Sequence, residues 1–235
     1  MTGASWNGRR LAAVLFDLDG TLLDTVGDIA LALNRATAPL GWPPLPVDAV
    51  RGMIGRGSPM LVRRAAAYLG RDADEALQAS IVERFFDQYA ALDERAERLA
   101  RPFAGAEEAL RALDARGLAL AVVTNKQYRF ADALVRGFGW NGWIDLVVGG
   151  DSCARRKPDP EPLLHACERL GVAPGAALMV GDSINDVQAA RAAGLPVICV
   201  PYGYNEGRDP RSLPCDALVE SLADLPALLT PGEAL

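Results

Sequence analysis

Five short apolar runs, separated by segments of helical pattern, constrain the fold of this chain more than any other feature. The first extends from Leu11 to Asp19 as LAAVLFDLD, and the others read LALAVVTN, DLVVGGD, ALMVGD and LPVICVP. Their length and apolarity are typical of strands buried on both faces of a sheet. The segments between them carry helix signals, such as Ser183 and Gly194 at the two ends of SINDVQAARAAG. This alternation predicts an α/β fold in which helices cover both faces of a mostly parallel sheet.

The interval 26–99 follows a different pattern. It is rich in Ala, Leu and Arg, has no comparable strand run, and repeats apolar side chains every four residues at Leu77, Ile81, Phe85 and Tyr89. Such spacing places these side chains on one face of a helix. We therefore expect two domains, an α/β core formed by residues 1–25 and 100–235 and a helical insertion formed by residues 26–99. The position of the insertion, directly after the first apolar run, suggests a cover over a site.

Composition and charge exclude several classes of protein. The 235 residues are half hydrophobic, which is enough for a large core, and they carry 24 Lys and Arg against 30 Asp and Glu. A net charge of −6 without a basic tract argues against a nucleic-acid partner. The start of the chain matches neither a signal peptide nor a membrane span, so we expect a cytoplasmic protein that does not bind membranes. Four widely spaced cysteines are expected to be reduced: Cys153, Cys167, Cys199 and Cys215.

Asp17 and Asp19 stand two residues apart at the end of the first apolar run. Ligands of open parallel sheets bind beyond the carboxyl ends of the strands, so this is where a site is expected. If the strand continues through Leu18, both carboxylates point the same way. Two charges about 4 Å apart then repel by roughly 4 kcal/mol at an effective dielectric constant of 20. Either a bound cation or protonation of one carboxyl group must offset this repulsion.

The ends of other predicted strands, and a loop before a helix, supply matching polar groups. Thr124 and Asn125 offer a hydroxyl and an amide to phosphate oxygens, Lys157 offers a positive charge, and Asp182 and Asp186 offer two more carboxylates. Oxygen ligands without His or Cys favour Mg²⁺ over zinc or copper. Because Mg²⁺ in proteins commonly takes a substrate phosphate among its ligands, the set predicts phosphoryl chemistry.

The segments DLDGT, TN, KPDPEP and GDSIND together resemble the four motifs of the haloacid dehalogenase superfamily. They occur in the order typical of that family, between about Leu11 and Pro201, and the ordered set is far more specific than any single motif. The resemblance implies a Rossmann-like, three-layer α/β core with a small helical cap inserted after the first motif. The interval 26–99 matches that cap in position and pattern.

The resemblance also implies catalytic roles. Asp17 would be the nucleophile that takes the phosphoryl group as an aspartyl-phosphate, and Asp19 would be the general acid and base. Each role is chemically reasonable, because a covalent intermediate divides one difficult displacement into two steps and one carboxyl group can serve as acid and then as base. Thr124 would bind the transferred oxygens, and Lys157 would neutralise Asp17 and the phosphate.

The metal site follows from the same resemblance. Asp17, Asp182 and the main-chain carbonyl of Asp19 would hold Mg²⁺, and Asp186 would bind it directly or through water. Further candidates for contact with phosphate or substrate are Gly20, Thr21, Asn125 and Arg56.

The identity of the residue two positions after the nucleophile narrows the reaction. Family members that cleave carbon–halogen or carbon–phosphorus bonds usually carry a different residue at the position of Asp19, so the aspartate favours phosphate ester hydrolysis. The segments VPYGYNEG, IGRGSPMLVRRA and GGDSCARRKPDPEPLL further resemble the phosphoglycolate phosphatases of this family, although Thr25 stands where Ser is common. We therefore expect hydrolysis of 2-phosphoglycolate to glycolate and phosphate, by a monomer or homodimer.

Two alternatives remain open at this level. One is a β-phosphoglucomutase-type phosphomutase, or another sugar-phosphate phosphatase of the same superfamily, which would share the core motifs. The other is a binding module without activity, which the complete set of catalytic residue types disfavours. In each enzymatic case the partner is a small phosphorylated metabolite.

Overall fold

The computed structural model describes residues 4–231. The strands within this range are β1 (Ala4–Trp6), β2 (Arg9–Leu11), β3 (Ala13–Phe16), β4 (Leu23–Asp24), β5 (Arg101–Pro102), β6 (Ala119–Val123), β7 (Leu146–Val148), β8 (Ala177–Gly181), β9 (Val197–Cys199), β10 (Ala217–Leu218) and β11 (Thr230–Pro231). The α-helices are α1 (Val26–Thr37), α2 (Val47–Arg51), α3 (Ser58–Tyr68), α4 (Glu75–Glu94), α5 (Ala106–Asp114), α6 (Tyr128–Gly137), α7 (Glu161–Leu170), α8 (Ile184–Ala193) and α9 (Leu225–Leu228).

The central sheet has six strands in the order β10-β9-β8-β3-β6-β7, and every neighbouring pair is parallel. The five apolar runs of the sequence form β3, β6, β7, β8 and β9, so the predicted α/β class is confirmed. From β3 the chain builds one side of the sheet through β6 and β7, and then the other side through β8 to β10. Since the connections diverge on either side of β3, its carboxyl end is the switch point where ligands of such sheets bind.

Helices cover both faces of the sheet, and the helix end predicted at Gly194 is observed. Gly171 and Gly194 follow α7 and α8 with φ angles of 69° and 77° in the left-handed region, which glycine adopts without a steric penalty. At the start of α8, the main-chain N–H and the hydroxyl of Ser183 both donate to Asp186. This arrangement fixes the first turn of the helix beneath the carboxyl end of β8.

The interval 26–99 contains the helices α1 to α4, and these form one hydrophobic cluster, which also includes Phe130 and Tyr204 from the core. The face predicted from the four-residue spacing is buried there at Ile81, Phe85 and Tyr89. The chain leaves the α/β layer at β4 and returns at β5, and these two strands pair antiparallel with Leu23 opposite Pro102. The helical layer formed by α1 to α4 is therefore joined to the α/β core through this pair of strands, close to the end of β3.

One detail of the predicted first strand is wrong. The run from Leu11 to Asp19 was expected to be continuous, but β3 covers only Ala13–Phe16, and a turn follows. The carbonyl of Leu18, whose side chain is fully buried, accepts hydrogen bonds from the N–H groups of three residues that follow it, Thr21, Leu22 and Leu23. Asp17 therefore directly follows the strand, with its N–H still bonded to the carbonyl of Val180 in β8, and Asp19 lies in the turn, so the two acids do not share one extended strand.

All four cysteines are free thiols, as the sequence predicts, and Cys167 and Cys199 are buried. Among the residues that the structure describes, no helix is both long enough and apolar enough to cross a bilayer. The cytoplasmic location and the monomeric or dimeric state stay predictions.

Candidate active site

A pocket opens where the carboxyl ends of β3 and β6 face the helical layer. Its polar side is formed by residues that follow the strands, among them Asp17, Asp19 and Thr124. Its opposite side is apolar and comes largely from the insertion, with Ile54, Leu61, Phe85, Phe86 and Tyr89. The pocket therefore has polar groups suited to catalysis on one side and an apolar wall that can exclude water on the other.

Three carboxylates meet at the edge of this pocket, and two of them, Asp17 and Asp186, line it. Asp17, Asp182 and Asp186 each place one oxygen so that the three oxygens lie within 4.8 Å of one another. Burial raises the pKa of Asp17 to about 6, with opposing effects from the charges of Lys157, which lowers it, and Asp186, which raises it further. Burial together with the charges of Asp186 and Asp17 raises the pKa of Asp182 to about 8. The surrounding protein therefore does not fully stabilise the ionised forms of Asp17 and Asp182.

Lys157 provides the positive charge inside the acid cluster. Its Nζ atom lies 3.0 Å from Asp17 Oδ1 and 2.6 Å from Asp186 Oδ1, and its side chain is 2% exposed. Burial by itself lowers the pKa of Lys157, but the charges of Asp17 and Asp186 outweigh it and raise the pKa to about 12. One ammonium is thus shared by two of the three carboxylates.

The donor set fits a hard divalent cation. The buried Oδ1 of Asp17 approaches Lys157 but makes no hydrogen bond of acceptable geometry with any residue in the range 4–231. Asp182 is held from behind, because its Oδ1 accepts from Thr21 Oγ1 at 3.0 Å and its Oδ2 accepts from the N–H of Tyr204 at 2.6 Å. An oriented pair of carboxylates with an unsatisfied oxygen suits Mg²⁺, which prefers oxygen ligands.

Asp186 has a different environment from the other two acids. Its Oδ2 accepts from the N–H and the hydroxyl of Ser183, and its Oδ1 accepts from Lys157. The Lys157 ammonium at 2.6 Å already neutralises Asp186, whereas the donors to Asp182 are uncharged, so Asp186 is placed to orient the lysine and the loop after β8. Asp17 and Asp182 are the stronger candidates for direct metal ligands.

Asp19 lies apart from this cluster. Its Oδ1 accepts from the hydroxyl of Thr25 at 2.6 Å and from Lys126 Nζ at 3.0 Å, and its Oδ2 lies 3.1 Å from the same Nζ. Besides burial and the charge of Asp186, the charge of Asp19 also raises the pKa of Asp17, so the two acids still repel each other, but the oxygens that converge within 4.8 Å are those of Asp17, Asp182 and Asp186. Each of the first two acids has its own lysine.

Lys126 was missed by the sequence analysis, yet the sequence contains a signal for it. The chain has two lysines, at positions 126 and 157, and all its other basic residues except one histidine are arginines. Both ammonium groups are buried in this site. A lysine carries a compact point charge, whereas the charge of an arginine is spread over a planar group. In a chain that otherwise uses arginine, the two lysines are therefore candidates for a functional role.

The remaining candidates from the DLDGT and TN motifs line or support the pocket. Thr124 lines it, and its hydroxyl accepts from the N–H of Lys126. The amide of Asn125 donates to the carbonyl of Lys157 and to the carbonyl of Gly55 in the insertion, at 2.8 Å each, so this group joins two loops. Thr21, as described, supports Asp182.

Gly20 is required by both its backbone and its surroundings. Its φ angle of +92° lies in the left-handed region, and a Cβ atom at this position would come within 2.6 Å of Asp182 Oδ2. Gly20 therefore shapes the turn, and Thr21 holds Asp182, the second candidate metal ligand.

Arg56 does not line the pocket in this arrangement. Its Nε lies 2.7 Å from Glu206 Oε1 with 42% of its side chain exposed, and Glu206 also pairs with Arg64 at 3.0 Å. Both arginines belong to the insertion and Glu206 to the core loop after β9, so this carboxylate joins the two layers. The substrate contact expected of Arg56 stays a prediction, and Glu206 was missed because nothing in its local sequence distinguishes it.

Tyr204 ties the same core loop to the root of the insertion. Its hydroxyl accepts from the N–H groups of Thr25 and Val26, at 2.8 Å and 3.0 Å, and donates to Asp24 at 2.8 Å. The first turn of α1 is thus anchored to the segment whose main chain holds Asp182.

Comparisons with known proteins agree with this geometry. A family model described as haloacid dehalogenase-like hydrolase matches residues 11–194. The chain is 44% identical over 221 residues to a phosphoglycolate phosphatase of Thiobacillus denitrificans, covering 94% of this chain and 96% of that protein. It is 48% identical over 222 residues to the plasmid phosphoglycolate phosphatase of Cupriavidus necator, covering 94% of each. A crystal structure from Haemophilus somnus, described as a predicted phosphoglycolate phosphatase, superposes with a TM-score of 0.84 at 32% identity over 92% of this chain and 96% of that one.

Proposed function

The chain belongs to the haloacid dehalogenase-like hydrolases, and on that premise we propose that it is a Mg²⁺-dependent phosphatase that converts 2-phosphoglycolate to glycolate and phosphate. The observation that carries this proposal is the division of the two acids of the first motif. Asp17 lies in a buried acid cluster beside Lys157, while Asp19 is held separately by Lys126 and Thr25. A nucleophile and a proton carrier need these two different environments.

We assign the metal to Asp17, Asp182 and the main-chain carbonyl of Asp19, with Asp186 as a support. When bound, Mg²⁺ would offset the excess negative charge of the cluster and stabilise charge on the phosphoryl oxygens. The convergence of carboxylate oxygens from Asp17, Asp182 and Asp186 within 4.8 Å and the raised pKa of Asp182 support this assignment.

Asp17 supplies the nucleophilic oxygen. A carboxylate oxygen of Asp17 forms the new bond to phosphorus while the bond between phosphorus and the ester oxygen breaks, which leaves an aspartyl-phosphate. Lys157, 3.0 Å away, reduces the repulsion between this carboxylate and the incoming phosphate. The hydroxyl of Thr124 lines the same pocket and is available to the transferred oxygens.

Asp19 carries the proton in both steps. In its protonated form it gives a proton to the departing ester oxygen, so that glycolate leaves as an alcohol. It then accepts a proton from the water that attacks the aspartyl-phosphate, and this releases phosphate and restores the Asp17 carboxylate. Hydrogen bonds from Thr25 and Lys126 hold the Asp19 side chain while its charge changes.

The insertion favours a small substrate over a sugar phosphate. Its contribution to the pocket wall consists mainly of aliphatic and aromatic side chains, including Ile54, Leu61, Phe85 and Phe86. A sugar phosphate would place several hydroxyl groups against this wall without hydrogen-bond partners, which is costly in a buried site. A phosphomutase or a sugar-phosphate phosphatase is therefore the second candidate.

Phosphate release from a panel of esters tests the proposal directly. The panel should contain 2-phosphoglycolate, glucose 1-phosphate, glucose 6-phosphate and a pentose bisphosphate, each with Mg²⁺ and with EDTA. We expect the highest kcat/KM for 2-phosphoglycolate and loss of activity with EDTA. Interconversion of the two glucose phosphates would favour the mutase, and a lack of release from all esters at saturating Mg²⁺ would refute the phosphatase.

A further inference from the structure

Tyr89 combines a buried position with an unused polar group. It lies on α4, is 1% exposed, and lines the active-site pocket. Among the residues that the structure describes, none accepts a hydrogen bond from its hydroxyl, although the Lys126 ammonium lies beside the hydroxyl oxygen. A buried O–H group without an acceptor lowers the stability of the fold, so its presence at a pocket wall calls for a reason.

Packing alone does not supply that reason. The ring of Tyr89 contacts Phe130 edge to face at 5.0 Å between centroids and contacts Phe85 at 5.8 Å. Phe86 occupies a similar position in the same wall. Since phenylalanine fills every neighbouring aromatic position, the ring of Tyr89 would pack equally well without the oxygen. The hydroxyl is therefore the distinctive group of this wall.

The surroundings of Tyr89 indicate which part of a substrate it faces. Lys126 Nζ lies 4.6 Å from the centroid of its ring and 3.0 Å from Asp19. Arg98, which is ion-paired with Asp28, lies 4.8 Å from the same centroid. If Asp19 gives its proton to the leaving group, then the groups beside Asp19 face the leaving group and not the phosphoryl group, which sits at Asp17 and Lys157.

We infer that the Tyr89 hydroxyl is a specificity-determining group that donates a hydrogen bond to a carboxylate carried by the leaving group, with Lys126 as the neighbouring positive charge. The inference rests on the proposed phosphatase function and refines its substrate class. It selects phosphate esters in which the carbon that bears the ester oxygen also bears a carboxylate. A hydroxyl and an ammonium are both donors, so together they match an anionic oxygen, whereas an apolar leaving group would leave the hydroxyl unsatisfied.

The test compares two esters that differ only in this carboxylate. Initial rates are measured for 2-phosphoglycolate and for ethyl phosphate, with Mg²⁺, on the full chain and on Tyr89→Phe. The matched control is Tyr68→Phe, the same substitution on the same insertion but on a side chain that is 58% exposed. We expect Tyr89→Phe to lower the ratio of kcat/KM for 2-phosphoglycolate over ethyl phosphate by about 10-fold or more, mainly through KM, and the control to change that ratio less than about 2-fold.

A binding measurement that needs no turnover provides the second readout. Inhibition constants are determined for 3-phosphonopropionate, in which a methylene replaces the ester oxygen of 2-phosphoglycolate, and for propylphosphonate, which lacks the carboxylate. The wild-type preference for the first compound should fall in Tyr89→Phe by a similar factor. Thermal unfolding without substrate should show Tyr89→Phe at or above the wild-type midpoint, because the variant loses an unpartnered hydroxyl.

The outcomes separate this inference from the function on which it rests. A wild-type enzyme that does not prefer 2-phosphoglycolate over ethyl phosphate contradicts the proposed substrate. A wild-type enzyme that does prefer it, together with an unchanged ratio in Tyr89→Phe or an equal loss for both esters, overturns the role of Tyr89 alone.

Discussion

Lys126 places its ammonium 3.0 Å from Asp19, whereas Lys157 places its own 3.0 Å from Asp17. The two acids are separated by one residue in the sequence, yet each is paired with a different lysine from a different loop. Asp17 shares its lysine with Asp186, and Asp19 shares its lysine with the ring of Tyr89. The pairing gives the two carboxyl groups separate environments, which is the condition for giving them separate roles.

Replacement of either acid of the first motif should remove activity for different reasons. Asp17→Asn loses the nucleophile, so we expect no detectable phosphate release. Asp19→Asn keeps the nucleophile but loses the proton carrier, and a loss of about 10²- to 10⁴-fold in kcat is expected. Phosphate release at saturating substrate measures both, and circular dichroism verifies the fold. Full activity of either variant would contradict the assigned role.

Lys126→Met should lower kcat by on the order of 10²-fold, because Asp19 loses the cation that contacts both of its oxygens. Methionine has a similar length and retains contact with the ring of Tyr89, so the fold should persist. Lys126→Arg restores the charge and should recover part of the activity. If kcat is unchanged in the methionine variant, Lys126 has no part in positioning Asp19.

The stability of the metal-free protein should fall as the pH rises. The pKa values of Asp17 and Asp182, about 6 and about 8 in the folded state, exceed the ordinary value of about 3.9 for an unfolded chain. The folded state therefore binds protons more tightly, and the stability that these groups contribute is fully present below about pH 4 and is lost as the pH rises through 6 and 8. Thermal unfolding in EDTA measures the effect. It is followed from about pH 5, about one unit below the pKa of Asp17, to about pH 9, about one unit above the pKa of Asp182.

Mg²⁺ should reverse this loss, because it binds the ionised carboxylates. The increase in unfolding temperature on addition of Mg²⁺ should therefore be larger above the pKa of Asp182, which is about 8, than below the pKa of Asp17, which is about 6. Asp182→Asn, which keeps the size of the side chain, should weaken the Mg²⁺ effect. An increase that does not vary with pH would show that these two acids are not the ligands.

Glu206→Gln should loosen the contact between the insertion and the core. The carboxylate of Glu206 is 6% exposed and holds Arg56 and Arg64, so its loss frees two arginines of the insertion. We expect a several-fold rise in KM and a loss of stability of about 1 to 3 kcal/mol, because a mostly buried carboxylate that holds two arginines is replaced by a neutral amide. Limited proteolysis and steady-state kinetics measure the two effects. The control is Glu220→Gln, which removes the exposed pair with Arg211, and an equal change in KM for both variants would contradict the role of Glu206.

Gly20→Ala should disturb Asp182 specifically. The new Cβ would lie within 2.6 Å of the Asp182 carboxylate and on a backbone with a φ angle of +92°. We expect loss of Mg²⁺-induced stabilisation and a kcat lower by on the order of 10²-fold. Gly8→Ala is the control, because its φ angle of +76° is similarly unfavourable but no atom lies within 4 Å of the added methyl group. Equal behaviour of the two variants would assign the effect to backbone strain alone.

Several features of the fold could be predicted because their causes are local. The strand run at Ala13–Phe16 is apolar over consecutive residues, and the stops at Gly171 and Gly194 are required by the φ angles that end each helix. The parallel sheet follows from the alternation of such segments, and its switch point beside β3 brings the motif loops together. Selective use of lysine at two positions was a further signal that the sequence contained.

Other features depended on contacts between residues far apart in the chain. The turn that ends the predicted strand depends on hydrogen bonds from Thr21, Leu22 and Leu23 to the carbonyl of Leu18, where the pattern of apolar residues predicted a strand. The spacing that placed Tyr89 on a buried face of α4 did not indicate that this residue would line a pocket. The spacing of apolar residues along a helix predicts which of its faces is buried, because residues at that spacing share one face. Only the packing of the insertion against the core decides which distant side chains, such as Arg56 and Glu206, meet, because those contacts depend on the geometry of two surfaces and not on either local sequence.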